Sequence, residues 1–184
     1  MHGQVECSPD HTVARWWPGV HVPLTMPSPR EYPERPIVGV GGVLIENGKA
    51  LLIRRGSEPL LGQWSIPGGT LELGETLREG VALEMLEETG ITVSVLDLIE
   101  VFERINPYSA PGARDANVRP RFHFVIVDYL CERISGDATA GGDATDVAYV
   151  SEEDLAQFQL TEAATRVLRS AFAMERVRRR ALQV

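Results

Sequence analysis

Residues 67–91 read PGGTLELGETLREGVALEMLEETGI. Pro67-Gly68-Gly69 is a turn-forming triplet that closes a short apolar segment, Trp64 to Ile66, and Gly90 is a natural helix stop. Between them the pattern predicts one helix, about Leu77 to Thr89. Thr76 serves as its N-cap, and Glu79, three residues on, completes a capping box.

On that helix Glu84, Glu87 and Glu88 fall at i, i+3 and i+4, which brings three carboxylates to one side. Like charges so close repel, and no Lys or Arg stands where an i±4 partner would relieve them. A hard divalent cation would, because Mg²⁺ takes a few carboxylate oxygens plus waters and phosphates. A solvated acidic face is the other reading of the triplet. The Gly-Gly turn feeding the helix leaves backbone groups open to a ligand, and Glu75 sits in the loop facing the same region.

Gly69, five residues, Glu75, seven residues, then Leu83-Glu84-Met85-Leu86-Glu87-Glu88-Thr89-Gly90-Ile91 resembles the signature box of the Nudix hydrolases. One position departs from that box: the family's Arg just before the first helix Glu is Leu83 here. Arg78 lies on another side of the helix and does not replace it. Beyond the box, the resemblance runs in element order from Ile37 to about Phe172.

The chain has 184 residues, 43% hydrophobic and 24% charged, which suits one domain with a sizeable core. Its net charge of -8 argues against non-specific nucleic-acid or anionic-membrane binding. Cys7 and Cys131 are too few for a disulfide framework and form no zinc-type cluster, so a reducing cytoplasm is expected. Neither a signal peptide nor a membrane-spanning run is expected.

Residues 1–36 are rich in Pro and read as an N-terminal extension to a domain at 37–184. Trp16-Trp17 either packs on its own core or docks on a second copy, giving a homodimer. His2, His11 and His21 read as surface residues. Ile37 to Ile45 and Ala50 to Arg54 are predicted strands joined at Asn47-Gly48, a strong hairpin signal. A strand is expected from Thr92 to Phe102, reaching toward Ile105, then a long loop from Asn106 to Pro120 of the kind that binds ligands. Arg121 to Cys131 reads as a buried strand in which His123 is a sheet residue or a substrate contact. A polar loop, Ser135 to Asp146, precedes a short strand at Val147 to Val150. A short helix opens at Ser151, and Thr161 opens a longer one to about Arg180.

Strands, a central helix, more strands and terminal helices make an α+β or three-layer α/β/α arrangement; the resemblance implies a Nudix-like α/β/α sandwich with a mixed sheet and a central catalytic helix. It also implies hydrolysis of a nucleoside diphosphate linked to another moiety, with ADP-ribose or a related nucleotide as the first reading because the overall spacing resembles the small bacterial members similar to ADP-ribose pyrophosphatases. Glu84, Glu87 and Glu88 then match catalytic and metal-binding glutamates, the Gly68 carbonyl matches a further ligand, and the ion is Mg²⁺, with Mn²⁺ the alternative. Glu84 or a late-loop carboxylate, Asp143 or Asp146, takes the proton from water. The substrate is a nucleotide-type small molecule. Arg54 and Arg55, beside the box, are either phosphate ligands or strand-end surface charges, and Glu75 and Tyr108 are the remaining substrate-binding candidates. Pro107 points to members similar to ADP-ribose pyrophosphatases and the adjacent Tyr108 to dinucleoside polyphosphate hydrolases, so the two stay undivided. Phe102, Tyr108 and Phe122 either stack on a base or pack in the core. A nucleotide-binding module with weak turnover, favoured by Leu83, is the alternative to an enzyme.

Overall fold

In the computed structural model, which describes residues 30–57, 60–106 and 120–183, the hairpin falls where Asn47-Gly48 puts it. Strand β1 (Ile37–Glu46) turns into β2 (Lys49–Arg55) through Asn47 at φ 50° and Gly48 at φ 75°. Positive φ at both central residues matches the right-handed twist of the flanking strands, which is why Asn-Gly is favoured there. Two short strands follow, β3 (Trp64–Ser65) and β4 (Gly68–Thr70). Gly68 and Gly69 were expected in a turn; instead they run antiparallel to β1, opposite Gly41 and Val40. The two backbones approach so closely that a Cβ on Gly68 would lie 2.2 Å from the Val40 carbonyl oxygen.

Helix α1 (Leu77–Thr89) has the predicted bounds and caps. The Glu79 N–H donates to Thr76 Oγ1 at 3.3 Å and the Thr76 N–H to Glu79 Oε2 at 2.8 Å, while Gly90 ends the helix at φ 70°. Strand β5 (Thr92–Asn106) and strand β6 (Phe122–Ser135) then form a long antiparallel pair. Strand β6 runs past the expected end at Cys131, because Glu132, Arg133 and Ser135 still pair with Ser94, Val93 and Thr92. Strand β7 (Ala144–Ser151) starts earlier than expected, with Ala144 and Asp146 paired to Arg55 and Arg54. Thr145 and Asp146 are exposed, and their polarity reads as loop in the sequence although their backbone completes a ladder. A single 3₁₀ turn (Leu155–Phe158) stands where a short helix was expected, and α2 (Glu162–Ala181) follows with Thr161 as N-cap.

The strands form one mixed sheet in the order β3-β2-β1-β6-β5, with β4 on β1 and β7 on β2, and β1 parallel to β6. Alternation along β1 divides the core. Val43 and Ile45 pack with Val167, Leu168 and Phe172 of α2, whereas Val40 and Leu44 pack with Val81 and Met85 of α1. The result is the expected three-layer α/β/α sandwich. Arg30 to Pro36, within the Pro-rich extension, touch this domain: Arg121 Nε donates to Glu31 Oε1 at 2.8 Å and the Tyr32 N–H to the Arg121 carbonyl at 2.8 Å. Trp16, Trp17, His2, His11 and His21 lie outside the described residues.

Met85 is fully buried and Leu83, two positions away on the same helix, is 41% exposed. Met85→Ala is therefore expected to lower unfolding free energy by about 2–5 kcal/mol and Leu83→Ala by under about 1 kcal/mol. Denaturant titration of both variants checks which face of α1 anchors it; equal losses would mean the helix is rotated.

Candidate active site

Packing of Val81 and Met85 against the sheet turns Glu84, Glu87 and Glu88 toward β4. They do not share one environment. Glu88 is 4% exposed, and one of its oxygens accepts the Gly68 N–H at 2.7 Å. Burial pushes its carboxyl from the ordinary 4.5 to about 7; the Gly68 N–H opposes this and the neighbouring Glu84 adds to it. Glu84 is also raised, first by burial and then by Glu87, with Arg30 opposing. Its carboxyl lies against Gly69, where a Cβ would sit 2.0 Å from Glu84 Oε1. Glu87 is exposed. The triplet is thus graded from solvent to interior, unlike a uniformly solvated face.

These glutamates line a cleft of about 330 Å³. Glu75 lines it too, with its Oε2 accepting the Glu72 N–H at 3.1 Å. The loop after β6 closes another wall by docking on the C-terminal end of α1. There the Thr139 N–H reaches the Thr89 carbonyl at 2.9 Å and the Gly141 N–H the Glu88 carbonyl at 3.1 Å, satisfying groups a helix end leaves unpaired. That docking carries Asp143 into the cleft, where its Oδ2 accepts from Ser57 Oγ at 3.1 Å. Asp146, the other late-loop candidate, lies in β7, caps its own chain through the Val147 N–H at 2.9 Å and does not line the cleft.

Of the two arginines at the end of β2, Arg55 lines the cleft and Arg54 does not; Arg54 Nε donates to the Gly62 carbonyl at 3.0 Å on the exposed side of the strand. Successive strand residues point to opposite faces, so only one of the pair can reach the site. Arg55 Nε is buried without a hydrogen-bond partner among the described residues. Leu83 forms part of the cleft wall. Arg78 bonds the Val95 carbonyl and lies over the Tyr129 ring at 5.3 Å, away from the cleft as expected. Pro107 and Tyr108 fall outside the described residues.

A second cavity, about 140 Å³, adjoins the cleft and shares Arg30, Arg55 and Gly68 to Thr70 with it. Phe102 and Phe124 line it, while Phe122 is buried and stacks on Phe124 at 6.1 Å. His123 lies opposite Ile105 in the sheet and lines neither cavity. Asp128, 3% exposed, lines the second cavity, and burial followed by the charge of Glu100 raises its carboxyl from 3.8 to about 7. Arg30, Arg104 and Asp128 are cavity residues that the sequence reading passed over. Asp128 had left a signal, a lone charge inside the apolar run Phe124 to Cys131. Arg104 shares a strand face with Phe102 by period two. Arg30 had none, since it stands in the Pro-rich segment.

The donor set is that of a hard cation: carboxylate and carbonyl oxygens, two of them on groups whose ionisation is opposed by burial and by one another. Glu84, Glu87, Glu88 and the Gly68 carbonyl are the residues that would hold such an ion. Among the described residues no three His, Cys, Asp or Glu side chains already converge as a metal cluster, because Glu88 is engaged by Gly68 and Glu84 lies on Gly69.

A profile of the NUDIX domain matches residues 35–171. An ADP-ribose pyrophosphatase of Methanocaldococcus jannaschii is 36% identical over 120 residues, covering 65% of this chain and 64% of that protein, so the chain spans under two thirds of its length. A MutT-like protein of Streptomyces ambofaciens is 32% identical over 148 residues, 79% of this chain and 84% of that one. Among solved structures, a MutT NUDIX hydrolase from Burkholderia pseudomallei superposes with a TM-score of 0.62 at 29% identity, covering 74% of this chain and 98% of that one.

Glu88 and Asp128 both titrate higher folded than unfolded, so between about pH 4 and pH 7 the folded state binds more protons and loses stability as pH rises. Without divalent cation, the melting temperature is expected to fall across that window, and less steeply in Glu88→Gln and in Asp128→Asn. A melting temperature that rises from pH 5 to pH 7 in step with loss of either group would contradict the burial of these carboxyls.

Proposed function

The chain belongs to the Nudix family, and on that premise we propose that it is a divalent-cation-dependent pyrophosphohydrolase acting on a nucleoside diphosphate linked to another moiety, ADP-ribose or a related nucleotide. The observation that carries this reading is the cleft itself. Five glutamates and Asp143 line it together with Arg55, Arg30 and the Gly68-Gly69 backbone. A diphosphate needs this combination, since cationic groups must meet its oxygens while a carboxylate takes a proton from water. The archaeal relative named as an ADP-ribose pyrophosphatase supports the substrate class.

When bound, Mg²⁺ or Mn²⁺ neutralises charge on the diphosphate and makes water more acidic. The protein supplies the rest. Arg55, whose Nε has no protein partner among the described residues, donates to a phosphate oxygen without giving up another bond. Glu84, raised by its burial and by Glu87, is a better proton acceptor than an ordinary carboxylate and takes the proton of the attacking water. The new bond joins the water oxygen to phosphorus, and the bridging oxygen leaves with the second phosphate. Asp143 is the second carboxylate in reach of the same space. The Glu88 contact to the Gly68 N–H holds β4 against α1, so the acidic helix and the glycine strand keep their spacing.

Leu83 supports a competing reading, a nucleotide-binding module with weak turnover, because an apolar side chain stands in the cleft wall where the family carries Arg. A panel of ADP-ribose, dinucleoside polyphosphates, nucleotide sugars and nucleoside triphosphates, assayed with Mg²⁺ and with chelator, separates the two. Chelator-sensitive cleavage is expected for ADP-ribose, and Glu84→Gln and Glu87→Gln are each expected to lower turnover about 10²-fold or more with unchanged melting. Binding without cleavage of any compound would favour the module. Leu83→Arg is expected to raise kcat, since position 83 has room at the cleft edge; a lower rate would show that α1 repacks around the change.

A further inference from the structure

Six carboxylates line the cleft, five glutamates and Asp143, and among the described residues Arg30 and Arg55 are the basic side chains that line it with them. Helix α1 places no basic side chain there: Leu83 stands beside Glu84 in the cleft wall, and Arg78 is committed to the Val95 carbonyl and the Tyr129 ring. The two arginines divide the acids between them. Arg55, at the end of β2, acts on Glu88, and Arg30 acts on Glu84, whose carboxyl lies against Gly69.

Arg30 stands ahead of the first strand, and its neighbours in the chain fix its place. The next residue, Glu31, has a side chain only 17% exposed, and its Oε1 accepts from Arg121 Nε at 2.8 Å and Nη2 at 2.5 Å. The Tyr32 N–H donates to the Arg121 carbonyl at 2.8 Å, and the Arg121 N–H to the Asn106 carbonyl at 3.0 Å. This clip is therefore built on the last rung of the β5–β6 pair, where Asn106 stands opposite Phe122. Tyr32 takes φ 52°, a left-handed conformation that a bulky side chain keeps only where its surroundings compensate. The chain accepts that strain at the turn separating Arg30 from β1. Neither Glu31 nor Arg121 lines the cleft or the second cavity, so their pairing fixes the segment and leaves the site's lining to Arg30.

We propose that Arg30 is a positioning residue for Glu84, delivered into the cleft by the Arg121–Glu31 clip, so that the segment before β1 belongs to the catalytic unit. The proposal rests on the pyrophosphohydrolase reading for what Glu84 does. Five other carboxylates share the cleft with Glu84, and a guanidinium among them draws its side chain to one orientation while Arg55 stays with the substrate. A single ion pair near solvent adds little to stability. Its effect falls instead on the placing of a proton acceptor, where a small displacement costs rate.

The test uses the full chain with ADP-ribose and Mg²⁺. Arg30→Gln is expected to lower kcat about 5-fold or more with KM held within about 2-fold, because Glu84 loses its partner while Arg55 keeps the substrate. Glu31→Gln, outside both spaces, should lower kcat in the same direction, and Arg30→Gln/Glu31→Gln should fall no further than Arg30→Gln alone. Arg30→Lys, which keeps the charge, should restore most of the rate. A melting comparison in chelator needs no turnover: Arg30→Gln is expected to lower the melting temperature by about 2 °C, and by less than about half as much when Glu84 is already Gln. A raised KM with unchanged kcat would make Arg30 a substrate ligand and overturn the proposal, as would an equal melting loss in both backgrounds. Chelator-sensitive hydrolysis with kcat unmoved by Arg30→Gln would leave the enzyme reading standing without the proposal. With no hydrolysis of any compound the enzyme reading fails, and the melting comparison alone decides the pairing of Arg30 with Glu84. Should Arg30→Gln not fold, Glu31→Gln carries the kcat and melting comparisons in its place.

Discussion

The contact between the Glu88 carboxyl and the Gly68 N–H is the constraint on which the site depends. It joins an acidic helix to a glycine strand across the rim of the sheet, and it does so inside the protein, where a carboxyl is expensive to keep charged. Because Glu88 is committed inward, Glu84 is left at the boundary and Glu87 in water. A helix that places carboxylates three and four residues apart thus sets one residue type in three environments, from buried to exposed. The Gly68 N–H, Arg55 and Arg30 together moderate the repulsion: the N–H and Arg55 act on Glu88, and Arg30 acts on Glu84.

Glycines set the spacing of that arrangement. Gly68 lets β4 come onto β1 at a distance no side chain permits, and Gly69 leaves the space that the Glu84 carboxyl occupies. Gly41, on the same part of β1, does the like for Asp128 on the opposite face of the strand pair. The sheet therefore carries a carboxyl above bare backbone at two neighbouring points, one in the cleft and one in the adjoining cavity. Arg30, Arg55 and Gly68 to Thr70 line both spaces, so the carboxylate cleft and the second cavity adjoin.

Stability and function pull against each other in this design. Each buried carboxyl whose proton is held in the folded state subtracts from stability as pH rises, and nothing in the core repays that locally. The sandwich tolerates it because both faces of β1 are covered by apolar packing: Val43, Ile45, Leu52 and Phe172 on one side, Val40, Leu51, Val81 and Met85 on the other. The late loop adds to this by capping α1 with its own N–H groups.

Local rules made much of this legible in the sequence. The capping box and Gly90 delimit α1, Asn47-Gly48 places the hairpin, and Glu spacing puts an acidic group on one helix face, because each depends only on residues within a turn or two of one another. What depended on pairing between distant segments was not legible. Residues 68–69 read as a turn and became a strand once β1 lay beside them; Thr145 and Asp146 read as loop and became ladder once β2 did. Arg54 and Arg55 are equivalent in sequence, and only the pleat of β2 against β7 decides that Arg55 faces the cleft. Arg30 and Asp128 enter the site through contacts to strands far off in the chain. The sequence by itself determined the first hairpin, the bounds of the acidic helix and the family to which they belong. Tertiary structure alone decided which carboxyl is buried, which arginine faces the cleft and where the second cavity lies, because burial and strand orientation are properties of neighbours that local sequence does not contain.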